Sequence, residues 1–396
     1  MSWEIRPCGS LEELNAAFAP ISHFFGRTPV LENTEQFARV LPAERMLAAW
    51  EDGTAIGGAG AFPFELTVPG GTVPAAGTTL VGVLPPRRRR GVLRALMREQ
   101  LDDIHRRGEP IAYLWASDDR IYGRYGYGMA SLSLTIDVEL QRGAFAAPVD
   151  APPARLVTFD EALEVIPPIY ERVRTSFPGM FSRTPDWWQT RALADPEWRR
   201  RGAGELMRVV VGEDGYALYR YHQDLSSGVS TGHVQVPEAI AATPEATAAV
   251  WRYLLDLDWI HRLKADLLPV DHPLHFLVAE PRRLNSSLRD GIWVRLVDVG
   301  AALRARSFAG DGEVVLDVRD EFCPWNEGHW TNRGERTETA LELRLDVREL
   351  GSVYLGGFTF TQLARAGRVE ELVSGSLARA DALFATDRAP WCPEIF

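Results

Sequence analysis

Four consecutive arginines, at residues 87–90, are followed at once by Gly91 and then by a segment with helical periodicity. Apolar residues recur in this segment at helical spacing, which predicts a helix over residues 92–107. The first N–H groups of a helix have no partner inside it and attract anions, and arginine side chains extend such a site. A predicted strand at residues 78–84 leads directly into the arginines. The pattern therefore favours a pyrophosphate site, where Gly91 lets the backbone approach the anion closely.

Two other interpretations of the arginine run stay open. One is a solvated basic stretch, because neither a GxxxxGK[ST] nor a GxGxxG motif is present here to select a nucleotide. The other is a nucleic-acid contact, which Glu99, Asp102 and Asp103 on the following helix disfavour. The chain also carries a net charge of −11, which repels phosphate backbones outside local basic clusters. We therefore expect no nucleic-acid partner.

The next segment, WASDDRIYGRYGYG at residues 115–128, ends a strand at a polar break and continues into a short helix that bears Tyr122. Strand, R-x-x-G loop, helix, strand and a short helix with a tyrosine together resemble the Gcn5-related N-acetyltransferase (GNAT) superfamily. The loop pattern of that superfamily, Q/R-x-x-G-x-G/A, matches residues 88–93, with Leu93 where glycine or alanine is usual. With VGVLPPRRRRG and the terminal WCPEIF, the resemblance narrows to the Eis (enhanced intracellular survival) family and covers the whole chain.

The domain organisation follows from composition and from this resemblance. The chain has 396 residues, 46% of them hydrophobic and 24% charged, as in ordinary soluble multidomain proteins. A Pro- and Ala-rich stretch at residues 144–156 predicts a linker, and the order of elements after it resembles the order before it. The resemblance implies α/β and α+β architecture, with two tandem GNAT-like domains, the second degenerate, and then a sterol-carrier-protein-like α+β domain. We expect them at residues 1–148, 149–292 and 293–396. The second lacks an Arg-Gly run, which predicts one active site per chain.

The resemblance also implies where acetyl-CoA, the expected co-substrate, binds. The edge of the predicted strand would pair with the pantetheine amides as an added strand does, and the basic loop would hold the pyrophosphate. The positions that match are Val81, Gly82, Val83, Arg89, Arg90, Gly91, Val92, Leu93, Arg94, Ser117 and Asp118. No metal is expected, because the HPLH sequence at His272 lacks a nearby third ligand.

Acetyl transfer to an amine requires a proton for the departing thiolate and a group that orients or deprotonates the amine. By resemblance, Tyr122 falls at the proton-donor position of the family, and a phenol with a pKa of ~10 is protonated at neutral pH. Also by resemblance, the C-terminal carboxylate of Phe396 is the proton acceptor, so that the third domain brings the chain end into the active site. The apolar ending favours a docked terminus, with Trp391 and Ile395 as candidate anchors.

Both catalytic assignments have simpler alternatives. Tyr122, Tyr125 and Tyr127 form a cluster of aromatic residues, so the alternative is that Tyr122 only packs against its neighbours. Most free C-termini are exposed and inert.

The acceptor is expected to be a small polycationic amine, because the chain is acidic and the family acetylates several amines of aminoglycosides. Direct transfer in a ternary complex is expected. Candidate pocket residues are His23, Phe24, Phe25, Trp115 and Glu394, since aromatic rings near an acidic group bind cations. Core packing is the alternative role for each of the aromatics. Two other functions stay open, namely a protein lysine N-acetyltransferase and a lipid- or protein-binding module with a vestigial acyl-CoA site.

The sequence also bears on the cellular location and the assembly of the protein. Cys8, Cys323 and Cys392 are far apart with no CxxC spacing, which fits a reducing compartment. The N-terminal residues show no signal peptide and no stretch reads as a membrane helix. We expect a cytoplasmic protein without a membrane partner, and the family resemblance implies a homohexamer.

Overall fold

The computed structural model describes residues 3–140, 143–200, 202–224 and 231–396. The chain divides into two compact units. The first contains Met1–Ala130, Ile292–Asp387 and Phe396, and the second contains Ser131–Gly291 and Arg388–Ile395. Neither unit is therefore a continuous piece of the chain.

The first unit begins with one mixed sheet and the helices that cover it. Its strands here are β1 (Glu4–Pro7), β2 (Met46–Glu51), β3 (Thr54–Val68), β4 (Gly71–Val83), β5 (Ile111–Trp115) and β6 (Gly128–Met129). Its helices here are α1 (Leu11–Ser22), α2 (Leu31–Ala38), α3 (Val92–Arg106) and α4 (Asp119–Tyr122). The strand order is β1, β2, β3, β4, β5, then Ile292–Leu296 from much later in the chain, then β6.

Strand β4 pairs with β3 along most of its length but with β5 only over a short stretch. The antiparallel β3–β4 ladder contains a bulge, at which Leu80 takes a positive φ of 54°. Parallel pairing between β4 and β5 covers Ala75–Gly77 and Ile111–Tyr113, and in the described residues no further ladder pair joins the two strands. Because a bulge bends its strand, β4 leaves β5 after Gly77. On the side that faces β5, residues 78–83 of β4 therefore have no ladder partner in the described part of the chain, and this unpaired side is the open edge of β4.

Helix α3 follows β4 through the arginine loop and packs on the same sheet. Its buried residues Leu96, Met97 and Leu101 form the apolar stripe of an amphipathic helix. On the opposite face the carboxylate of Glu99 pairs with the guanidinium of Arg106 at 2.9 Å. Helix α3 confirms the helix predicted at residues 92–107. The prediction was possible because the apolar period of the helix and the glycine before it are both local signals.

The second unit contains a second mixed sheet. Its strands are β7 (Leu132–Glu139), β8 (Ala154–Leu156), β9 (Met207–Val211), β10 (Gly215–His222), β11 (His233–Ala241), β12 (Arg262–Leu268) and β13 (Ser287–Asp290). Its helices are α5 (Phe159–Arg174), α6 (Pro185–Trp187), α7 (Glu197–Arg200), α8 (Pro244–Leu255) and α9 (Leu274–Leu277). The strand order is β13, β7, β12, β11, β10, β9, β8.

The chain then returns to the first unit. It adds β14 (Ile292–Leu296), α10 (Val299–Ala305), β15 (Val315–Arg319), β16 (Gly328–Thr331), β17 (Leu343–Asp346), α11 (Val347–Tyr354), α12 (Phe360–Arg365), β18 (Val369–Glu371) and α13 (Ser376–Phe384). A sheet in the order β16, β15, β17, β18 belongs to this α+β region. The buried guanidinium of Arg295 on β14 pairs with the buried carboxylate of Asp320 at 2.6 Å. Within the described residues, no helix has the length and apolar character needed to cross a membrane.

Two strands pair outside the continuous ranges expected from the sequence. Strand β7 lies within residues 1–148, yet it pairs with β12 and β13 in the second sheet. Strand β14 pairs with β5 and β6 in the first sheet. The unit boundary at Ala130 lies in an alternating apolar segment with no Pro-rich break, so local composition gave no sign of it.

Candidate active site

The arginine loop presents backbone donors and positive charge at the start of α3. Gly91 is the N-cap residue and takes a left-handed conformation with φ of 82°, which favours glycine. A β-carbon at Gly91 would meet open space, so backbone conformation rather than crowding selects this residue. Glycine offers no capping side chain, and the first turn, Val92, Leu93 and Arg94, contains no acidic residue. Its N–H groups lack acceptors within the helix, so they can bind an anion.

Two of the four arginines are already paired with a carboxylate of the protein. The buried carboxylate of Glu51, on β2, lies 2.6 Å from Nη2 of Arg90 and 2.5 Å from Nε of Arg87. The hydrogen bond from Arg90 lowers the pKa of Glu51 and raises that of Arg90. In the described part of the chain no carboxylate pairs with the exposed Arg89, which takes a positive φ of 60°. The positive charge of Arg89 is therefore not neutralised by a carboxylate, and Arg89 should attract a pyrophosphate more strongly than Arg90. Both predicted contacts stay predictions.

The open edge of β4 carries the other predicted coenzyme positions. Val81, Gly82 and Val83 follow the bulge, and Gly82 pairs with Gly58 of β3 on the far side. A β-carbon on Gly82 would lie 3.2 Å from the backbone of Ile21 in α1, so the strand and the helix approach closely there. On the side away from β3 these residues have no ladder partner in the described part of the chain, so an added extended chain, such as the pantetheine arm, can pair there.

Tyr122 ends the short helix α4, which Asp118 caps. The Asp118 carboxylate accepts hydrogen bonds from the backbone N–H of Arg120 at 3.1 Å and from its guanidinium at 2.9 Å. The Tyr122 ring is buried in the apolar cluster that includes Leu114 of β5. Burial raises the pKa of Tyr122 to about 12, while a hydrogen bond with Ser117 opposes the increase. The phenol is therefore protonated throughout the physiological pH range.

A second tyrosine links Tyr122 to the open edge of β4. The rings of Tyr122 and Tyr127 meet edge to face, with centroids 5.9 Å apart. The hydroxyl of Tyr127 is 3.0 Å from that of Thr78, the residue after Gly77 on β4. From the sequence, Tyr127 was expected only to pack, and Thr78 was not expected to take part in the site. Their hydrogen bond holds the Tyr122 ring close to the place where β4 and β5 separate.

The ring of the last residue, Phe396, packs at this same place. Its centroid is 4.9 Å from that of Tyr113 and 5.2 Å from that of Phe64, both edge on. Gly77 and Tyr113 form the last ladder pair between β4 and β5. A β-carbon on Gly77 would collide with Phe64 and lie 3.2 Å from the Phe396 ring. Ile395 is 58% exposed and is not an anchor, contrary to expectation.

The predicted acceptor-site residues differ in exposure. His23, Phe24 and Phe25 form a single 3-10 turn after α1, and all three are exposed, so core packing is wrong for them. The guanidinium of Arg88 lies over the Phe24 ring, 4.6 Å from its centroid. Trp115 is partly buried at the end of β5. The exposed turn therefore places an aromatic surface beside the arginine loop.

Glu394 lies in the second unit, where its carboxylate has partners. Nη2 of Arg183 is 3.0 Å away, and the indole Nε1 of Trp187 donates to it at 2.9 Å. Arg183 is buried and also pairs with buried Glu238 at 2.5 Å. The Glu394 carboxylate therefore helps to balance a buried guanidinium, and a contact with a substrate amine stays a prediction. Among the described residues, no group of His, Cys, Asp and Glu is suited to hold a metal ion.

Three family models match the chain. An acetyltransferase (GNAT) domain matches residues 4–130, a second acetyltransferase (GNAT) domain matches residues 179–296, and a sterol carrier protein domain matches residues 299–393. N-acetyltransferase Eis of Mycobacterium tuberculosis is 38% identical over 340 residues, which cover 82% of this chain and 81% of that protein. The chain belongs to the Eis family of GNAT acetyltransferases.

Other relatives agree with this assignment. The crystal structure of Eis1 from Mycobacterium abscessus has a TM-score of 0.88 and 36% identity, covering 99% of this chain and 100% of that chain. An uncharacterized N-acetyltransferase of Streptomyces avermitilis is 42% identical over 390 residues, 95% of each chain. The protein is thus an acetyltransferase with acetyl-CoA as co-substrate and an amine as acceptor. The expected fold class, with two GNAT domains and a sterol-carrier-like domain, is confirmed.

Proposed function

We propose that this enzyme acetylates amines of polycationic small molecules, such as aminoglycosides, at several positions and by direct transfer in a ternary complex. The observation that carries the proposal is the docking of the Phe396 ring against Tyr113, next to the point where β4 and β5 separate. This docking puts the Phe396 ring beside Gly77, and the next residue, Thr78, is hydrogen-bonded to Tyr127, which packs against the Tyr122 ring. Among the described residues, we find no specific feature that favours a protein lysine acetyltransferase or a binding module over this function.

The chemistry requires one bond to form and one to break. The neutral amine attacks the thioester carbonyl of acetyl-CoA, so a C–N bond forms while the C–S bond breaks. The Phe396 carboxylate orients the amine and takes its proton, and Tyr122 donates a proton to the departing thiolate. A phenol with a pKa of about 12 is a weaker acid than a thiol with a pKa of ~8.5. The proton that Tyr122 gives is therefore replaced by the one that the amine loses.

Charge and exposed aromatic rings support a polycationic acceptor. The chain has 54 acidic and 43 basic residues, which attracts cations over long range. The exposed turn at His23, Phe24 and Phe25 offers ring faces, which attract cations. A flexible polyamine can present one amine after another to the same site, so one site per chain can add several acetyl groups.

We also propose that the domains span residues 1–148, 149–292 and 293–396, and that the protein forms a homohexamer.

Thiol release from acetyl-CoA by the untagged full-length enzyme tests the acceptor. The panel contains aminoglycosides, linear polyamines and histone-like peptides, and mass spectrometry counts the acetyl groups added. We expect release with aminoglycosides and more than one acetyl group per molecule. Release with the peptides alone would make the enzyme a protein lysine acetyltransferase. Acetyl-CoA binding without turnover on any acceptor would support the binding module.

The chain end has its own test. Adding two glycines after Phe396 moves the carboxylate away from the docked ring but leaves every side chain in place. We expect turnover to be lost while the melting temperature and acetyl-CoA binding stay unchanged. A matched control carries two extra glycines before Met1. Full activity of the C-terminally extended enzyme would rule out the carboxylate role.

A further inference from the structure

The second unit repeats the strand, loop, helix and strand that form the coenzyme site in the first. Strand β11 leads into α8, and β12 follows, just as β4, α3 and β5 follow one another. Strands β11 and β12 pair in parallel only over residues 233–236 and 262–265. In the described residues they are not paired beyond this, so a cleft opens between the end of β11, the start of α8 and the segment after β12.

The start of α8, at this second cleft, is poorly suited to bind a pyrophosphate. The hydroxyl of Thr243 caps α8 by accepting a hydrogen bond from the backbone N–H of Ala246 at 3.1 Å. Pro244, the first helical residue, has no N–H to offer, and Glu245 places a negative charge in the first turn. The bulge in β11 falls at Pro237, which has no N–H for an added strand. Each of these features is opposite to its counterpart around Gly91.

The cleft is instead lined on one side by Arg388 and Trp391 of the chain's own C-terminal segment, Arg388–Ile395. The ring of Trp391 lines it, packs edge on against Phe177 with centroids 5.2 Å apart, and is 7% exposed. Its backbone N–H donates to the carbonyl oxygen of Pro178 at 2.7 Å. Its indole Nε1 donates at 2.5 Å to the carbonyl oxygen of Leu267, which an irregularity in β12 with a φ of 60° turns out of the ladder.

The residues on both sides of Trp391 are held as well. The backbone N–H of Ala389 donates to Oδ2 of Asp271 at 2.9 Å. After Trp391, the carboxylate of Glu394 pairs with buried Arg183. The segment is therefore fixed before, at and after the tryptophan, and only two residues separate Glu394 from the chain end.

We propose that the second GNAT domain serves as a holder for the C-terminal segment, with Trp391 packed along the cleft that corresponds to the coenzyme site of the first domain. Trp391 and Asp271 are positioning residues, because they act on the reaction only through the placement of Phe396. The catalytic consequence rests on the proposed role of the Phe396 carboxylate. The holding itself does not, so the two can be measured separately.

Release of the C-terminal residues by a carboxypeptidase measures the holding directly. The full-length enzyme, Trp391→Ala, Trp391→Phe and the control Trp259→Ala are each incubated under native conditions, and free phenylalanine is measured over time. Trp259 is in the same unit, is 85% exposed and does not line the cleft. Because proteolysis of a held segment follows its local opening, we expect release to be ~10-fold faster or more in Trp391→Ala. Trp391→Phe should recover most of the protection, and Trp259→Ala should match the unchanged enzyme.

Kinetic measurements on the same variants distinguish the holding of the C-terminal segment from the catalytic role of the Phe396 carboxylate. If Phe396 acts as proposed, kcat falls in Trp391→Ala while the KM for acetyl-CoA stays within about twofold, since the first coenzyme site is untouched. Faster release with unchanged kcat supports the holder and overturns the role of the carboxylate. Release no faster than in the Trp259→Ala control overturns the holder.

A second variant covers the case in which Trp391→Ala does not fold. Asp271 is exposed, and Asp271→Ala removes its hydrogen bond with Ala389 without opening the core. We expect a smaller but measurable acceleration of phenylalanine release at an unchanged melting temperature. Release equal to that of the unchanged enzyme would contradict a holding role for this contact.

Discussion

Replacing Tyr122 with phenylalanine removes one oxygen atom and keeps the ring that packs against Tyr127. General acids contribute about 10²–10⁴-fold to rate, so we expect kcat to fall ~10²-fold or more. The predicted coenzyme contacts lie mostly on β4 and at the start of α3, so the KM for acetyl-CoA should change little. The loss therefore belongs to the chemical step and not to binding.

The burial of Tyr122 also predicts a pH profile. With a pKa of about 12, ~99% of the phenol is still protonated at pH 10, whereas a phenol with a pKa of ~10 would be half ionised there. The unchanged enzyme should therefore show no alkaline fall in kcat from Tyr122 up to pH 10. Measurements from pH 7 to 10 at saturating acetyl-CoA and acceptor would show this.

The matched control is Tyr125→Phe, which removes a neighbouring hydroxyl but keeps the ring. That ring packs edge on against Phe322, with the ring centroids 5.0 Å apart. We expect this variant to retain its activity. Near-normal kcat in Tyr122→Phe would return Tyr122 to a packing role. An alkaline fall near pH 10 that disappears in Tyr122→Phe would refute the argument from burial.

Three further perturbations follow from charges in the structure. Arg89→Ala should raise the KM for acetyl-CoA by ~10-fold or more, and by more than Arg90→Ala, since charge-assisted hydrogen bonds contribute about 1.5–3 kcal/mol and Arg90 is paired already. The opposite order in steady-state kinetics would contradict the assignment. Arg295→Met should lower the melting temperature sharply, because a buried carboxylate at Asp320 without its counter-charge costs about 3–5 kcal/mol. Burial lowers the pKa of His272 to about 3, so below the unfolded value of ~6.5 only the unfolded chain takes up this proton. Stability is therefore lost as pH falls from 6.5, by about 2–3 kcal/mol at pH 4.5, and His272→Gln should show a smaller drop in melting temperature between pH 7 and 4.5.

The elements around the coenzyme loop were predictable because their signals are local. The period of α3, the glycine before it and the polar break at Ser117 all lie within a few residues of the structure that they specify. The partner of Arg90 was not predictable, since Glu51 is remote in sequence and carries no motif. The exposure of Phe24 and Phe25 was not predictable either, because the sequence left a pocket role and core packing open and only the tertiary surroundings decide between them.

The chain end shows where sequence reasoning depends on resemblance. An apolar ending indicates docking, but the site of docking depends on Gly77, whose missing side chain leaves room beside Phe64. Nothing in the local sequence distinguishes this glycine from the others on the same sheet. The two exchanged strands were hidden in the same way, because pairing between remote segments leaves no periodic trace.

The placement of β14 has a consequence for how the protein is made. Trp115 of β5 pairs with Ile292 of β14, which the ribosome produces roughly 180 residues later. At about 5–20 residues per second, the edge of β5 stays unpaired for roughly 10–35 s of synthesis. During that time a bare strand edge is a template for pairing with other nascent chains. Fragments that end before β14 should therefore aggregate, and chaperone demand during translation should be highest between β5 and β14.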